Sequence, residues 1–161
     1  MREILFRGKR DRYGREWVYG SLIQTGKFCC ILEPENSDRY DYPYLDADLG
    51  TIDGQAIPID PLTIGQYTGL NDKNGNKIFE GDILKSDLCA ELLLVIFNEG
   101  CGAFQVLFND GYSEGFLEHY SDINHLQIIG NFHDNPELLN SHYEKDGIVI
   151  EYHYDEYLKG E

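Results

Sequence analysis

The chain has 161 residues, of which 42% are hydrophobic and 13% aromatic, a composition typical of a folded globular protein and not of a disordered one. Its 29 acidic residues outnumber its 13 basic ones, so the formal net charge is −16 at pH 7. A surface this acidic repels phosphate backbones, which counts against general nucleic-acid binding. No run approaches the roughly 18 apolar residues of a membrane helix, and Arg7, Lys9 and Arg10 interrupt any apolar core of a signal peptide. We therefore expect a cytoplasmic protein.

The charge is unevenly distributed along the chain. Residues 1–30 hold seven basic and three acidic residues, a net +4, whereas the remaining 131 residues hold six basic and 26 acidic ones, a net −20. The ordinary interpretation is a well-solvated acidic surface. The alternatives are a partner with a basic face and mimicry of nucleic-acid charge. Opposite charges within one chain also favour electrostatic self-association, so we expect a homo-oligomer.

The N-terminal region predicts a small β-meander that carries most of the basic residues. We expect a first strand over residues 4–7, a second over residues 16–24, where Trp17 and Tyr19 alternate with Val18, and a third over residues 28–32. The segment Arg12-Tyr13-Gly14-Arg15 is typical of a turn between the first two strands.

Residues 33–50 predict a long loop, or a linker between subdomains, because they contain six acidic residues and no sustained apolar period. Three tyrosines, Tyr40, Tyr42 and Tyr44, surround Pro43 in this segment. Tyrosine supplies apolar area with a polar tip, so these rings either bind a partner or fold back over a neighbouring core.

The stretch from Ile64 to Lys85 is the most informative part of the chain. Asn74-Gly75 predicts a hairpin with a type I′ turn, which needs positive φ at both central residues, between strands over 65–70 and 76–79. Glu80-Gly81-Asp82 predicts a second turn in which the Asp82 carboxylate accepts backbone hydrogen bonds. A new strand is expected from Ile83.

This stretch, together with both ends of the chain, resembles the YopX family of bacteriophage and prophage proteins. The resemblance rests on the run Thr63-Ile64-Gly65-Gln66-Tyr67-Thr68-Gly69-Leu70, on Asp72-Lys73-Asn74-Gly75, and on Ile78-Phe79-Glu80-Gly81-Asp82-Ile83. Similar segments open the family pattern at residues 4–7 and 17–20 and close it at residues 128–132 and 135–139. The resemblance covers roughly residues 1 to 140. It implies a mostly β phage protein with no assigned chemistry and no catalytic residues to carry over.

The second half of the chain predicts further strands and one short helix. Residues 92–97 form a continuous apolar run, which favours a strand buried on both faces within residues 90–98, although a short buried helix has the same pattern. Further strands are expected over residues 103–108, 116–120 and 125–132, and Asn135-Pro136-Glu137 is typical of a helix start. Strands this short, separated by glycine turns, suggest a small SH3-like barrel.

These elements predict a mainly β protein, all-β or β-rich α+β, with an N-terminal β-meander, a small SH3-like barrel and a short C-terminal helix. We expect an N-terminal subdomain with its acidic, tyrosine-rich loop over residues 1–60. The barrel with the family pattern should span residues 61–140, and an acidic extension residues 141–161. In that extension Ile148, Ile150, Tyr152 and Tyr154 fall on one side of an extended chain. Such a strand either completes its own sheet or pairs with another subunit.

Motifs for metal or cofactor binding are weak throughout. Residues 72–76 resemble the start of a calcium loop, but Lys77 stands where glycine is needed and Ile83 where the bidentate glutamate belongs. The five histidines and four cysteines show no zinc spacing, so we expect reduced thiols, with a structural zinc or disulfides as alternatives. His133-Asp134 is a further possible ligand pair. No phosphate-binding, dinucleotide-binding or nucleophile motif is found. We expect no cofactor and no bound metal.

Three functional classes are compatible with these sequence features. The leading hypothesis is a non-catalytic protein-interaction module whose partner is a host or phage protein. The second is a nucleic-acid binder that uses the basic N-terminal face, a function sometimes found in SH3-like folds. An enzyme is the third and least favoured. The candidate interaction surface consists of Arg7, Arg10, Arg15, Trp17, Tyr19, Tyr40, Tyr42 and Tyr44.

Overall fold

The computed structural model describes residues 3–11, 14–25, 28–33, 45–46, 51–52, 56–88, 92–108, 114–117 and 125–140. Nearly all the regular structure in these ranges is antiparallel β-strand, and a single α-helix has four residues. This confirms the mainly β prediction. The chain divides into two compact units, Met1–Gly69 and Leu70–Glu161.

None of the helices found in these ranges is both long enough and apolar enough to span a lipid bilayer.

The first unit is built on one antiparallel sheet, here called the first sheet. Its strands are β1 (Phe6–Lys9), β2 (Trp17–Thr25), β3 (Phe28–Leu32), β6 (Ala56–Pro58) and β7 (Gly65–Asn71), in the order β6-β3-β2-β1-β7. The short strands β4 (Leu45–Asp46) and β5 (Thr51–Ile52) form a separate pair, and a 3-10 helix spans Pro61–Thr63. Residues 65–69, which were expected in the barrel, belong here because Arg7 of β1 pairs with Gly65.

Strand register sets which side chains share a face of the first sheet. Arg7 lies opposite Tyr19 and Lys9 opposite Trp17, so these four side chains project from one face. Val18 projects from the other face, where it packs with Ile31 and Ile59 in a buried apolar cluster. One face of this sheet therefore contributes to an apolar core, and the other face carries the cationic and aromatic side chains of β1 and β2.

Gly20 shows how closely β2 and β3 approach each other. A Cβ atom at this position would overlap the backbone carbonyl oxygen of Leu32 and contact the side chain of Ile31. Because the obstruction is backbone, it cannot be relieved by rotating a side chain. Glycine is required here for space, since residue 20 has no positive φ.

The second unit contains a five-stranded antiparallel sheet, here called the second sheet, with the order β12-β11-β10-β9-β13. Its strands are β9 (Asp82–Ser86), β10 (Leu92–Asn98), β11 (Ala103–Phe108), β12 (Glu114–Phe116) and β13 (Leu126–Asn131), and the helix α1 spans Glu137–Asn140. The strand β8 (Lys77–Phe79) forms a hairpin with β7 and is the sixth strand of the first sheet. Of these two strands, β7 contains the boundary between the units.

The apolar run in β10 is buried on both faces, as its composition predicts. Leu93 and Val95 pack in one buried cluster, while Leu92 and Leu94 pack in another. The helix α1 contributes the buried Leu139 to the second of these clusters. The second sheet therefore separates two apolar layers.

The predicted SH3-like closed barrel is not confirmed. Within the described ranges the second sheet is open, because β12 pairs with β11 and β13 pairs with β9, and no pairing joins β12 to β13. A barrel encloses one interior, whereas the side chains of β10 require apolar cover on both faces. A two-sided sheet meets that requirement.

The turn between β7 and β8 also differs from the prediction. Gly75 has φ 85°, but Arg15 is the sole non-glycine residue with positive φ in the described ranges, so Asn74 does not adopt the type I′ conformation. The carbonyl of Asp72 accepts a 2.9 Å hydrogen bond from Gly75 N, and Asp72 N donates to Asn76 O. This is a three-residue loop, which needs only one left-handed residue.

Several predicted features lie outside the described ranges. The strand β12 at Glu114–Phe116 overlaps the predicted strand over 116–120 at Phe116, and residues 118–120 lie outside the described ranges. The extension over 141–161, with its predicted strand, is not described either.

Candidate interaction surface

Two cations and one indole ring form a cluster on the first sheet. The guanidinium carbon of Arg7 lies 4.6 Å from the ring centroid of Trp17, and Lys9 Nζ lies 5.3 Å from it. Both distances are within the range of cation–π attraction. The register of β1 against β2 creates this arrangement, since it places both cations beside the same ring.

The cations of this cluster are buried, while Trp17 is half-buried. The backbone N–H of Lys9 donates a 2.8 Å hydrogen bond to Thr63 Oγ1, which holds β1 against the 3-10 helix. Arg7 was expected to contribute to an open basic surface. Its burial, like that of Lys9, instead makes it part of the packing of the first unit, and a phosphate backbone could not reach either cation in this conformation.

Arg10 is also engaged within the first unit. Its Nε lies 3.1 Å from Glu16 Oε1, and its backbone N–H donates to the carbonyl of Glu16. An ion pair this exposed contributes little to stability. It does neutralise the charge that Arg10 would present to an external anion.

Arg15 is the one predicted cation that is exposed and held in an unusual backbone conformation. Its φ is 53°, in the left-handed region that disfavours residues with a Cβ, and it follows Gly14 at φ 104°. Residues held in this conformation carry strain, which is often found at functional sites.

An uncharged face with exposed rings extends from this cluster across β2, β3 and β6. Tyr19 is 41% exposed and Phe28 is 42% exposed. Register places on this same face, together with the two rings, Ser21, Ile23, Thr25, Cys30, Leu32, Ala56 and Pro58. We call these nine residues the aromatic face. All its exposed members (Tyr19, Ser21, Thr25, Phe28 and Pro58) are uncharged.

The acidic residues of the family pattern have structural partners. Asp72 is buried, and its carboxylate accepts hydrogen bonds from the backbone N–H groups of Asn74, Asn76 and Ile128 at 2.9–3.2 Å. Burial raises the pKa of Asp72, but these bonds and one from the Asn76 side chain outweigh it and hold the pKa below its ordinary value. Asp72 therefore fastens the hairpin loop to β13.

The second turn of the pattern joins three parts of the second unit. Gly81 has φ 82°, its N–H donates to Val95 O, and its carbonyl accepts from Phe132 N. The buried carboxylate of Asp82 accepts a 2.8 Å hydrogen bond from Phe79 N, as predicted for this residue. These contacts show that this turn stabilises the fold of the second unit.

Lys73 and Asp87 form an exposed ion pair beside the hairpin loop. Lys73 Nζ lies 2.9 Å from Asp87 Oδ2, and Lys73 N donates to Leu126 O. The hydrogen bond from Lys73 lowers the pKa of Asp87 below its ordinary value. The bond from Lys73 N to Leu126 O gives the hairpin loop a second contact with β13.

Metal-binding groups are not assembled in the parts of the chain that the structure describes. No three His, Cys, Asp or Glu side chains converge there, and the backbone N–H groups of His133 and Asp134 donate to Asn131 Oδ1 within a turn. Cys29 and Cys30 are buried free thiols, and burial raises the pKa of each. Cys101 is a free, exposed thiol.

The structure brings together only part of the predicted surface. Arg7, Trp17 and Tyr19 share one face, Arg10 pairs with Glu16, and Tyr40, Tyr42 and Tyr44 lie outside the described ranges. Sequence reasoning did not select Lys9 or Phe28. The alternation in β2 does place Trp17 and Tyr19 together, but the residues opposite them follow only from the register with β1 and β3.

The sequence matches the model of one known protein family over most of its length. The family model described as YopX protein matches residues 6–140. That range contains every strand of both sheets and the helix α1. No curated protein shows a significant match. The chain therefore belongs to the YopX family.

Proposed function

We propose that this protein is a non-catalytic protein-interaction module of a phage or prophage, and that the aromatic face is its contact surface. The observation that carries the proposal is the pair of exposed rings, Tyr19 and Phe28, on the aromatic face, whose exposed members are uncharged. Exposed aromatic residues with apolar neighbours are typical of the centres of protein interfaces.

The engagement of the acidic residues of the family pattern supports a role without catalysis. Asp72 and Asp82 both direct their carboxylates at backbone N–H groups of the second unit. A general acid or base needs a carboxylate that can reach a substrate proton. These two residues are instead committed to turns.

Nucleic-acid binding receives less support. It requires cations that can neutralise phosphates, but Arg7 and Lys9 are buried and Arg10 lies against Glu16. Arg15 alone among the predicted cations is exposed in the described part of the chain.

The proposal is tested by affinity co-purification from the bacterial cells that carry the gene. The wild-type chain should recover a protein in stoichiometric amount, and the double variant Tyr19→Ser/Phe28→Ser should lose it. A matched control is Leu62→Ser/Leu88→Ser, which removes two apolar side chains that are 54% and 71% exposed outside the aromatic face. This control should retain the partner.

Two results would contradict the proposal. One is retention of the partner by the aromatic-face variant; the other is the absence of any stoichiometric protein with the wild-type chain. A gel shift with single-stranded and duplex DNA at two salt concentrations runs in parallel. Binding at low salt that weakens as the salt concentration rises would support nucleic-acid binding as the function instead.

A further inference from the structure

We infer that the outer edge of β13 is closed to strand addition by two sets of hydrogen bonds. One set comes from Asp72 and Lys73 in the hairpin loop, here called the loop cap, and the other from Asn135, here called the turn cap. In the described ranges β13 is the last strand of the second sheet, with β9 on its inner side. The N–H and C=O groups on the outer side of such a strand can pair with another chain. This inference goes beyond the proposed function and does not involve the aromatic face.

The loop cap covers the first part of this outer edge. Successive residues of an antiparallel strand direct their backbone groups to opposite sides. The carbonyl of His125 bonds on the β9 side, so the groups of Leu126 and Ile128 point outward. Leu126 O accepts a 2.8 Å hydrogen bond from Lys73 N. Ile128 N donates to Asp72 Oδ2 at 3.2 Å, so the cap engages one acceptor and one donor of the edge.

These two bonds occupy the places that a neighbouring parallel strand would use. A residue on such a strand donates its N–H to one carbonyl and accepts a hydrogen bond from the N–H two residues further on. Lys73 N and Asp72 Oδ2 supply this donor and this acceptor. Asp72 is buried, and its carboxylate also accepts from the N–H groups of Asn74 and Asn76. An incoming strand would have to displace a carboxylate that these bonds hold in place.

The turn cap repeats the arrangement at the end of β13. After the irregularity in this strand, Phe132 N donates to Gly81 O on the β9 side, so the backbone groups of Asn131 point outward. The N–H of Asn131 donates to Asn135 Oδ1 at 3.3 Å, and its carbonyl accepts a 2.9 Å hydrogen bond from Asn135 N. In both caps a side-chain oxygen accepts from the strand and a backbone N–H donates to it.

Both caps are built from short polar residues of the family pattern. An aspartate or asparagine oxygen lies close to its own backbone, so the side chain can accept from a strand while a nearby backbone N–H donates to it. The loop cap belongs to residues 72–75 and the turn cap to residues 135–139, two of the segments that carry the family resemblance. These two segments therefore meet at the same edge of the second sheet.

Amide hydrogen exchange of the full chain, measured by NMR, tests each cap separately. In the wild-type chain the N–H groups of Ile128 and Asn131 should exchange slowly despite their position at the end of the sheet. Asp72→Ala should accelerate exchange at Ile128 at least about tenfold and leave Asn131 nearly unchanged, whereas Asn135→Ala should do the reverse. A general loss of stability would instead accelerate exchange at both positions together.

Strand addition is measured by the growth of intermolecular β-sheet, followed by thioflavin fluorescence and infrared spectroscopy. Chains with a net charge of −16 repel each other, so the incubation is done at about 0.15 M salt, where the Debye length is about 8 Å. The double variant Asp72→Ala/Asn135→Ala should form intermolecular sheet at least about tenfold faster than the wild-type chain, because its edge offers unpaired backbone groups.

A matched control separates exposure of the edge from loss of stability. Asp82→Ala removes another buried carboxylate that accepts from a backbone N–H, that of Phe79, but its bond does not lie at the outer edge of β13. When the double variant and Asp82→Ala are compared at equal folded fraction, adjusted with urea, the control should form intermolecular sheet at least about tenfold more slowly.

A second pair of variants leaves the Asp72 carboxylate in place and serves if Asp72→Ala does not fold. Lys73 is the second residue of the turn closed by the bond from Gly75 N to Asp72 O, a position where proline is favoured. Lys73→Pro removes the N–H that bonds to Leu126 O, whereas Lys73→Ala keeps it and loses the ion pair with Asp87. The two variants carry the same charge. Lys73→Pro should therefore accelerate the growth of intermolecular sheet, and Lys73→Ala should not.

Three outcomes would overturn the inference. They are fast exchange of Ile128 and Asn131 in the wild-type chain, acceleration at both amides by either single variant, and equal growth of intermolecular sheet by the cap variants and their controls. The proposed function fails separately, because it is decided by co-purification with the aromatic-face variant. If no partner is recovered while Asp72→Ala and Asn135→Ala behave as expected, the edge is protected and the proposed function alone is wrong.

Discussion

The two sheets of this protein use their faces differently. The second sheet has apolar clusters on both sides, built around Leu93 and Leu94 of the same strand. In the first unit, the first sheet has an apolar cluster around Ile31 and an opposite face with exposed rings at Tyr19 and Phe28. The second sheet therefore contributes to apolar clusters through both faces, whereas the first sheet leaves two aromatic rings exposed on one face.

Residues of the family pattern occur in both units, and those of the second unit make contacts that stabilise turns. The most distinctive residues of the family pattern, Asp72, Gly81 and Asp82, bond to the backbone of the second unit. Tyr19 of the aromatic face lies within the family pattern at residues 17–20, whereas the other members of that face lie outside the segments that carry the resemblance. Asp72, Gly81 and Asp82 therefore identify the family through contacts that stabilise the fold.

The largest expected effect comes from truncating one isoleucine in each sheet. Ile31→Ala in the first sheet and Ile83→Ala in the second remove the same atoms from sites with 0% exposure. Each should lower the free energy of unfolding by about 2–5 kcal/mol. Ile83→Ala should lie at the upper end because its sheet is packed on both faces. Urea denaturation of both variants measures the difference.

A clearly larger loss of unfolding free energy for Ile31→Ala than for Ile83→Ala would contradict the expected difference between the two sheets. The exposed Leu62→Ala is the control for both, because truncation of an exposed side chain should change the free energy of unfolding by less than about 0.5 kcal/mol.

The next prediction tests the structural role of Asp72, a residue of the family pattern. Asp72→Asn replaces one acceptor oxygen by an NH₂ group that faces backbone donors, so the free energy of unfolding should fall by about 1–3 kcal/mol. Asp87→Asn, which changes an exposed carboxylate in the same region, should cost less. Equal losses in the two variants would remove the special role of Asp72.

In strong acid, Asp72 should lose its contribution to the free energy of unfolding. Its pKa in the folded chain lies below the ordinary value of 3.8, so its contribution is present above that pH and is lost as the pH falls through the folded-state pKa. The gap in unfolding free energy between wild type and Asp72→Asn should therefore narrow in strong acid. Urea midpoints measured at neutral and acidic pH test this, and a gap that widens in acid would contradict it.

The smallest expected effect has the opposite sign. Arg15→Gly should raise the free energy of unfolding by on the order of 1 kcal/mol, because glycine adopts a left-handed conformation without the steric cost that arginine bears. Thermal unfolding measures the gain. If the more stable variant also loses partner binding, Arg15 belongs to the contact surface; a loss of stability would show that its side chain contributes more than its backbone costs.

The sequence predicts local features well where composition and turns agree. The bounds of β3 and β11 match the predicted ranges, and Asp82 accepts a backbone hydrogen bond as its place after Gly81 indicates. The apolar run in β10 correctly indicates burial on both faces. These predictions depend on residues close together in the chain.

Features that depend on distant pairing were not predictable. The open form of the second sheet follows from β13 pairing with β9, and Arg7 reaches Trp17 only through the register of β1 with β2. The hairpin loop was predicted from the dipeptide Asn74-Gly75, but one left-handed glycine is enough when the loop has three residues. The local sequence is compatible with several loop conformations, and tertiary contacts determine which of them forms.

The hydrogen bond from Ile128 to Asp72 joins residues 56 positions apart, and it has a consequence for biosynthesis. A ribosome makes the family hairpin early, but the partner that completes it is added only near the end of the second sheet. Until then one edge of β9 has no neighbouring strand in the nascent chain, and an open edge invites pairing with other chains. Premature termination just before β13 should therefore yield an aggregating product.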